Sequence, residues 1–149
     1  MSCKDHHHKT CIADALAFAE AYCTEKHLRF TDLRRKVFAL LWNSHKAMTA
    51  SDVMSVLGKD QPPLTYRALD FLKEHRLVHY IASLNAYVGC THPEKSHTSQ
   101  MLVCEQCRDV TEITSDAMTT SLDKTARQSG FKPQQTFIEM LGLCKNCAE

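Results

Sequence analysis

Near its C-terminus the chain carries Cys104-Glu105-Gln106-Cys107 and later Cys144-Lys145-Asn146-Cys147. Two C-x-x-C pairs constrain a fold more than any other feature here. The two-residue gap turns the backbone so that both sulfurs of a pair face one ion, and two pairs complete a closed tetrahedral zinc shell with no place left for water or substrate. A pair of disulfides, or one redox C-x-x-C with the other incidental, are the competing readings. Met1 to Cys11 has no apolar core resembling a signal peptide, and no run approaches the roughly 18 apolar residues of a membrane span. A cytoplasmic protein without membrane association is therefore expected, and a reducing compartment favours zinc over disulfides.

At 149 residues, 44% of them hydrophobic and with only four Gly and four Pro, the chain is long enough for one large or two small folded domains. Below about 70–80 residues a domain usually needs a staple, which a four-Cys zinc site would supply to the C-terminal half. Net charge is only +1, but residues 1–83 hold 12 Lys/Arg against 9 Asp/Glu and residues 84–149 hold 6 against 8. Any contact with nucleic acid is thus expected in the first half.

Along the chain, Cys3, His6, His7, His8 and Cys11 suggest a flexible arm over residues 1–11, either scavenging metal or simply disordered. Helical spacing then runs from Ile12 to about Lys26 through Ala15, Leu16, Ala19 and Cys23. Thr31 reads as the cap of a second helix with Leu33, Val37, Leu40 and Leu41 on one stripe. Thr49 with Asp52 predicts a capping box on a third, whose apolar face is Val53, Val56 and Leu57. Pro62-Pro63 opens a fourth, with Leu64, Ala68, Leu69, Phe71 and Leu72 on the expected buried side and Thr65, Tyr66, Arg67, Asp70 and Lys73 on the other.

Leu77 to Ala82, a turn at Ser83-Leu84-Asn85, and Ala86 to Gly89 then form a hairpin pattern. Short helices followed by a hairpin are the order of a winged helix. In that arrangement the fourth helix enters the major groove of double-stranded DNA, with Arg67 facing guanine and Thr65 or Tyr66 facing phosphate or a thymine methyl. The plainer reading is that Tyr66 and Arg67 only solvate a helix.

A hinge is expected over residues 91–99. Beyond it come a strand at Met101-Leu102-Val103, its partner at Asp109 to Ile113, a helix capped by Thr114 or Ser115 and stopped at Gly130, and a last strand from Gln134 to Leu141 that delivers the second Cys pair. The fold class is thus α+β: a winged-helix domain over residues 12–90 and a small α/β domain over residues 100–149. His79, Cys90, His97 and Glu112 all fall at the junction of these predicted halves. A thiolate, two imidazoles and a carboxylate are a plausible second zinc site, with His92 a lesser competitor; the alternative is unrelated polar residues near a hinge.

Pro63-Leu64-Thr65-Tyr66-Arg67-Ala68-Leu69-Asp70-Phe71-Leu72, then Leu77-Val78-His79, then the two Cys pairs, resemble the ferric uptake regulator family. Arg29-Phe30-Thr31 followed by Arg34 is similar to that family's R-x-T-x-x-R element. His97-Thr98-Ser99-Gln100 stands where iron-sensing members carry H-H-D-H, and this departure resembles the zinc uptake branch. His75-Arg76 depart from the acidic residue and Gly that relatives often carry ahead of the hairpin.

The resemblance implies a homodimeric, non-enzymatic repressor that binds operator DNA when zinc is abundant and controls zinc uptake and homeostasis genes. It implies two zinc ions per protomer. Cys104, Cys107, Cys144 and Cys147 would hold a structural ion and His79, Cys90, His97 and Glu112 a regulatory one, with no small organic substrate. Alternatives are a sensor of iron, nickel or peroxide on the same fold, a zinc-ribbon interaction module, or a thiol oxidoreductase.

Overall fold

The computed structural model describes residues 8–44, 46–58, 61–91, 93 and 98–148. The chain divides into two compact units, Met1–Pro93 and Glu94–Glu149.

The N-terminal unit comprises α1 (His8–Glu25), α2 (Asp32–Ser44), α3 (Ala50–Leu57), α4 (Pro62–Glu74) and the strands β1 (Val78–Ile81) and β2 (Ala86–Gly89). Side chains at the expected positions define the helix starts. The backbone N–H of Arg34 donates to Thr31 Oγ1 at 3.3 Å. At α3, Asp52 N–H donates to Thr49 Oγ1 while Thr49 N–H donates to Asp52 Oδ2, completing the capping box.

The helix ends are less conventional, because non-glycine residues adopt the left-handed conformation there. His27 (φ 55°) follows α1 and Arg76 (φ 58°) follows α4. Leu28 N–H then reaches Cys23 O, and Leu77 N–H reaches Leu72 O, closing both ends in the Schellman manner. Arg76 therefore performs the chain reversal that Gly would perform with less steric cost.

The core of this unit is formed by Val37, Phe38 and Leu41 of α2, Leu69 and Leu72 of α4, Val53 of α3, Ala19 and Cys23 of α1, and Leu77 and Val78 entering the hairpin. Two expectations about faces are corrected. Val56 is exposed, because Ala50 and Val53, three residues apart, are the buried positions of α3. On α4, Thr65 is only 4% exposed and Leu64 is 41% exposed. Thr65, Ala68, Leu69 and Leu72 follow the i, i+3, i+4, i+7 stripe that faces the core, and Leu64 lies about 100° away from Thr65. The arm expected over residues 1–11 also differs: α1 begins at His8 and includes Cys11, while Cys3, His6 and His7 lie outside the described residues.

β1 and β2 pair antiparallel with His79 opposite Val88, and the left-handed Asn85 closes the tip after a short 3-10 turn at Ala82–Leu84. Beyond the hairpin, Met48 and Tyr87 exchange two backbone hydrogen bonds, so β2 is held along both edges.

The C-terminal unit contains β3 (Ser99–Cys104), β4 (Val110–Ile113), α5 (Asp116–Gln128) and β5 (Phe137–Gly142). β3 is the central strand of the order β4-β3-β5, antiparallel to β4 and parallel to β5. Ser115 Oγ caps α5 by accepting Met118 N–H. Gly130 (φ 73°) terminates it, with Gly130 N–H bonded to Arg127 O and Phe131 N–H to Ala126 O. Among the described residues of this unit, burial is confined to β3, at Ser99, Gln100, Met101, Val103 and Cys104, with no buried residue on α5. Leu102, Leu122, Phe131, Phe137, Met140, Leu141 and Leu143 are exposed. Among the described residues no helix is long and apolar enough to cross a membrane.

Candidate functional site

The four-Cys cluster follows from the parallel pairing of β3 and β5. Their register sets Cys104 opposite Gly142, so the turns that leave the two strands lie side by side. In the first turn Arg108 adopts φ 62° and its N–H returns to Cys104 O; in the second, Cys147 and Ala148 N–H both return to Cys144 O. Glu105 N–H crosses to Gly142 O and Cys144 N–H to Cys104 Sγ at 3.4 Å.

All four sulfurs lie within 4.8 Å of one another, and those of Cys107 and Cys144 are 3.7 Å apart. Zinc–sulfur bonds of about 2.3 Å at tetrahedral angles require sulfur–sulfur edges of about 3.8 Å, so the donor set fits the ion. The electrostatics agree. Backbone N–H groups, first that of Cys107 and then that of Cys144, hold the Cys104 thiol down at about 6. Cys147 is pushed up to about 12, first by the Cys144 sulfur and then by burial. Neighbouring sulfurs resist ionising together unless a cation offsets their charge.

The second expected set is spread over three segments. Within the N-terminal unit the ligand atoms of His79 and Cys90 lie within 4.8 Å of each other. The hairpin accounts for this proximity: His79 is on β1, and Cys90 follows β2, its N–H bonded to Leu77 O at 3.1 Å. Cys90 is fully buried and His79 half-buried. In the C-terminal unit, Glu112 is half-buried on β4 opposite Met101. His97 and its competitor His92 lie outside the described residues.

Of the expected nucleic-acid contacts, Tyr66 and Arg67 are exposed on α4, and the side chain of Thr65 is withdrawn into the core. Three features lay beyond the reading of the sequence. Arg34 donates to Arg29 O and stacks on the Phe71 ring at 3.6 Å, tying the start of α2 to α4. Gln100 is buried at the site of the altered H-T-S-Q run, and its amide links β3 to Ser115 O and Thr119 Oγ1. Trp42 lies against Gly89; a lone Gly in a strand pattern is the signal that marks such an approach.

The C-x-x-C pairs follow strands and converge on one another, which is unlike the helix N-terminus that activates the thiol of an oxidoreductase. Comparison with known proteins agrees with a regulatory rather than a redox architecture. Residues 25–141 match the ferric uptake regulator family. The chain is 35% identical over 146 residues to the zinc uptake regulation protein of Escherichia coli (strain K12), covering 95% of this chain and 85% of that protein.

Among solved structures, it resembles a zinc uptake regulator complexed with zinc and DNA, with a TM-score of 0.85, 33% identity, and coverage of 92% of this chain and 95% of the other. It also resembles holo XcZur, with a TM-score of 0.81, 36% identity, and coverage of 89% and 96%. With its helices followed by a hairpin, its β4-β3-β5 sheet and its clustered Cys pairs, the chain belongs to the ferric uptake regulator family.

Proposed function

We propose that this chain is a zinc-responsive transcriptional repressor that binds operator DNA as a homodimer and controls genes of zinc uptake and homeostasis. The observation that carries this reading is the direct continuity of α4 with the β1–β2 hairpin. The helix presents Tyr66 and Arg67, and the hairpin behind it holds the ligand atoms of His79 and Cys90 within 4.8 Å of each other. Metal ligands and DNA-reading groups thus belong to one packed unit. The zinc-and-DNA complex of a 33% identical regulator supports the same pairing of ligands.

Cys104, Cys107, Cys144 and Cys147 hold a structural zinc, and His79, Cys90, His97 and Glu112 a regulatory one, giving two per protomer. When bound, zinc supplies a rigid four-coordinate tie and no redox chemistry. Cys90 as a thiolate and His79 as a neutral imidazole provide the soft part of the regulatory set, which disfavours magnesium, calcium and manganese. Arg67 is suited to a bidentate contact with guanine, and Tyr66 to phosphate or a thymine methyl. Thr65 is not among the proposed contacts.

Support for a homodimer comes from the C-terminal unit, where β5 is an edge strand bearing exposed Phe137 (67%), Met140 and Leu141. An exposed apolar edge of this kind marks an association surface. The protein acts in the cytoplasm, where its DNA is.

Zinc and DNA binding are linked, so each must tighten the other by the same factor. Switching the DNA-competent form from 1:99 to 99:1 requires about a 10⁴-fold preference of zinc for it. Cys90→Ser tests the assignment: the variant keeps the structural zinc and the dimer but loses zinc-dependent operator binding in a gel shift. Zinc-dependent repression that survives in Cys90→Ser would refute the regulatory set.

A further inference from the structure

We infer that Trp42 and Gly89 form a positioning pair that sets the geometry, and hence the zinc affinity, of the His79–Cys90 ligand pair. The inference rests on the regulatory-site reading above. Gly89 is the last residue of β2 and immediately precedes Cys90. A Cβ placed on Gly89 would lie 2.8 Å from Trp42 Nε1, 2.9 Å from Cδ1 and 3.0 Å from Cε2. Its φ is not in the left-handed region, so the backbone itself tolerates a side chain; the indole of α2 is what excludes one. The Trp42 N–H is buried against this strand with no hydrogen-bond partner among the described residues. Packing rather than hydrogen bonding therefore holds the indole there.

The end of β2 is thereby located by three successive attachments. Tyr87 is bonded twice to Met48, Gly89 rests on Trp42, and Cys90 N–H is bonded to Leu77 O. The first and third fix the strand along its length and across to β1. The second sets how deeply it lies against α2. Carbon contacts are normally about 3.5–4.0 Å, so one methyl at position 89 forces strand and ring apart by about half an ångström or more. Ligand constellations must be held within about 0.5 Å. Cys90 is the next residue and is fully buried, so the displacement reaches its sulfur directly.

The test uses the full-length dimer loaded at the four-Cys site, with zinc affinity of the second site measured by chelator competition. Cobalt(II) serves as the spectroscopic probe through its thiolate charge-transfer band. Gly89→Ala should weaken the second site about 10–100-fold, the range seen when groups supporting metal ligands are altered, and should shift or diminish the cobalt–thiolate band. Circular dichroism and the structural zinc should be retained. Trp42→Leu in the Gly89→Ala background makes room for the methyl and should restore affinity to within about threefold, a compensation that general loss of stability cannot produce.

Wild-type affinity in Gly89→Ala, or no recovery in the double variant, overturns the inference. Should Gly89→Ala fail to fold, Trp42→Leu alone carries the test, and unchanged affinity there overturns it. Cys90→Ser separates the two readings. If it keeps the second ion and its band, the regulatory-site assignment fails and the positioning inference with it. If it loses both while Gly89→Ala does not, only the positioning inference fails.

Discussion

Replacing Cys104 by Ser removes the most buried ligand of the four-Cys cluster, and the C-terminal unit has little else to hold it. Among its described residues, the buried apolar side chains other than Cys104 are Met101 and Val103. Burying each contributes about 1.5–3 kcal/mol, whereas ordering each backbone residue costs about 1–2 kcal/mol. Structural zinc binding contributes about 10–16 kcal/mol, comparable to the whole stability of an ordinary domain at about 5–15 kcal/mol. Cys104→Ser should therefore unfold β3, β5 and the connecting α5 rather than soften them.

Zinc content by atomic emission should fall by one ion per protomer, and hydrogen exchange should show the β3 and β5 amides unprotected. Trp42, the one tryptophan, reports the N-terminal unit by fluorescence and should keep its own cooperative transition, because the core packed around Phe38 and Leu69 contains none of these ligands. A Cys104→Ser protein that has lost the ion yet retains protected β3 and β5 amides would refute the reasoning.

Arg67→Ala should weaken operator binding by about 1–3 kcal/mol and relax base preference at one position; an equal loss on all sequences, measured by competition gel shift, would make Arg67 a phosphate contact. Burial raises the Cys23 thiol above its usual 9.0. The folded state then holds this proton more tightly than the unfolded state, so stability is full below about pH 9 and declines as pH rises through the folded value. Cys23→Ala should flatten that alkaline decline in urea melts, at about 1 kcal/mol lower stability near neutrality, and an unchanged slope would contradict it. Arg76→Gly should raise stability by about 1 kcal/mol by removing the left-handed strain at φ 58°; a lowered melting temperature would show that the Arg76 side chain outweighs it.

Features set by neighbours in sequence were legible without the fold. The C-x-x-C spacings, the Thr49–Asp52 box, the Thr31 and Ser115 caps and the Gly130 stop all depend on interactions spanning a few residues, and each has the structure its spacing implied. Among the described residues, α2, α3, α4 and α5 and the hairpin lie close to where apolar periodicity and turn signals put them. The resemblance supplied the family, and the comparisons bear it out.

Tertiary packing decided the rest. Periodicity finds a helix but not which of two adjacent positions faces inward, and so Thr65 rather than Leu64 entered the core when α4 settled on α2 and α3. The parallel register of β3 and β5, which brings Cys104 beside Cys144, joins segments some forty residues apart, and no local pattern encodes it. The exposure of Phe137 and Leu141 on β5 was equally invisible, since an apolar strand reads alike whether it faces a core or another surface. The seating of Gly89 on Trp42 exists only because α2 and β2 meet in space. The sequence alone determined which residue types are on hand to serve as ligands, because coordination chemistry belongs to residue types and short spacings. Only the tertiary structure decided how closely those ligands are held, because that depends on contacts between elements distant in the chain.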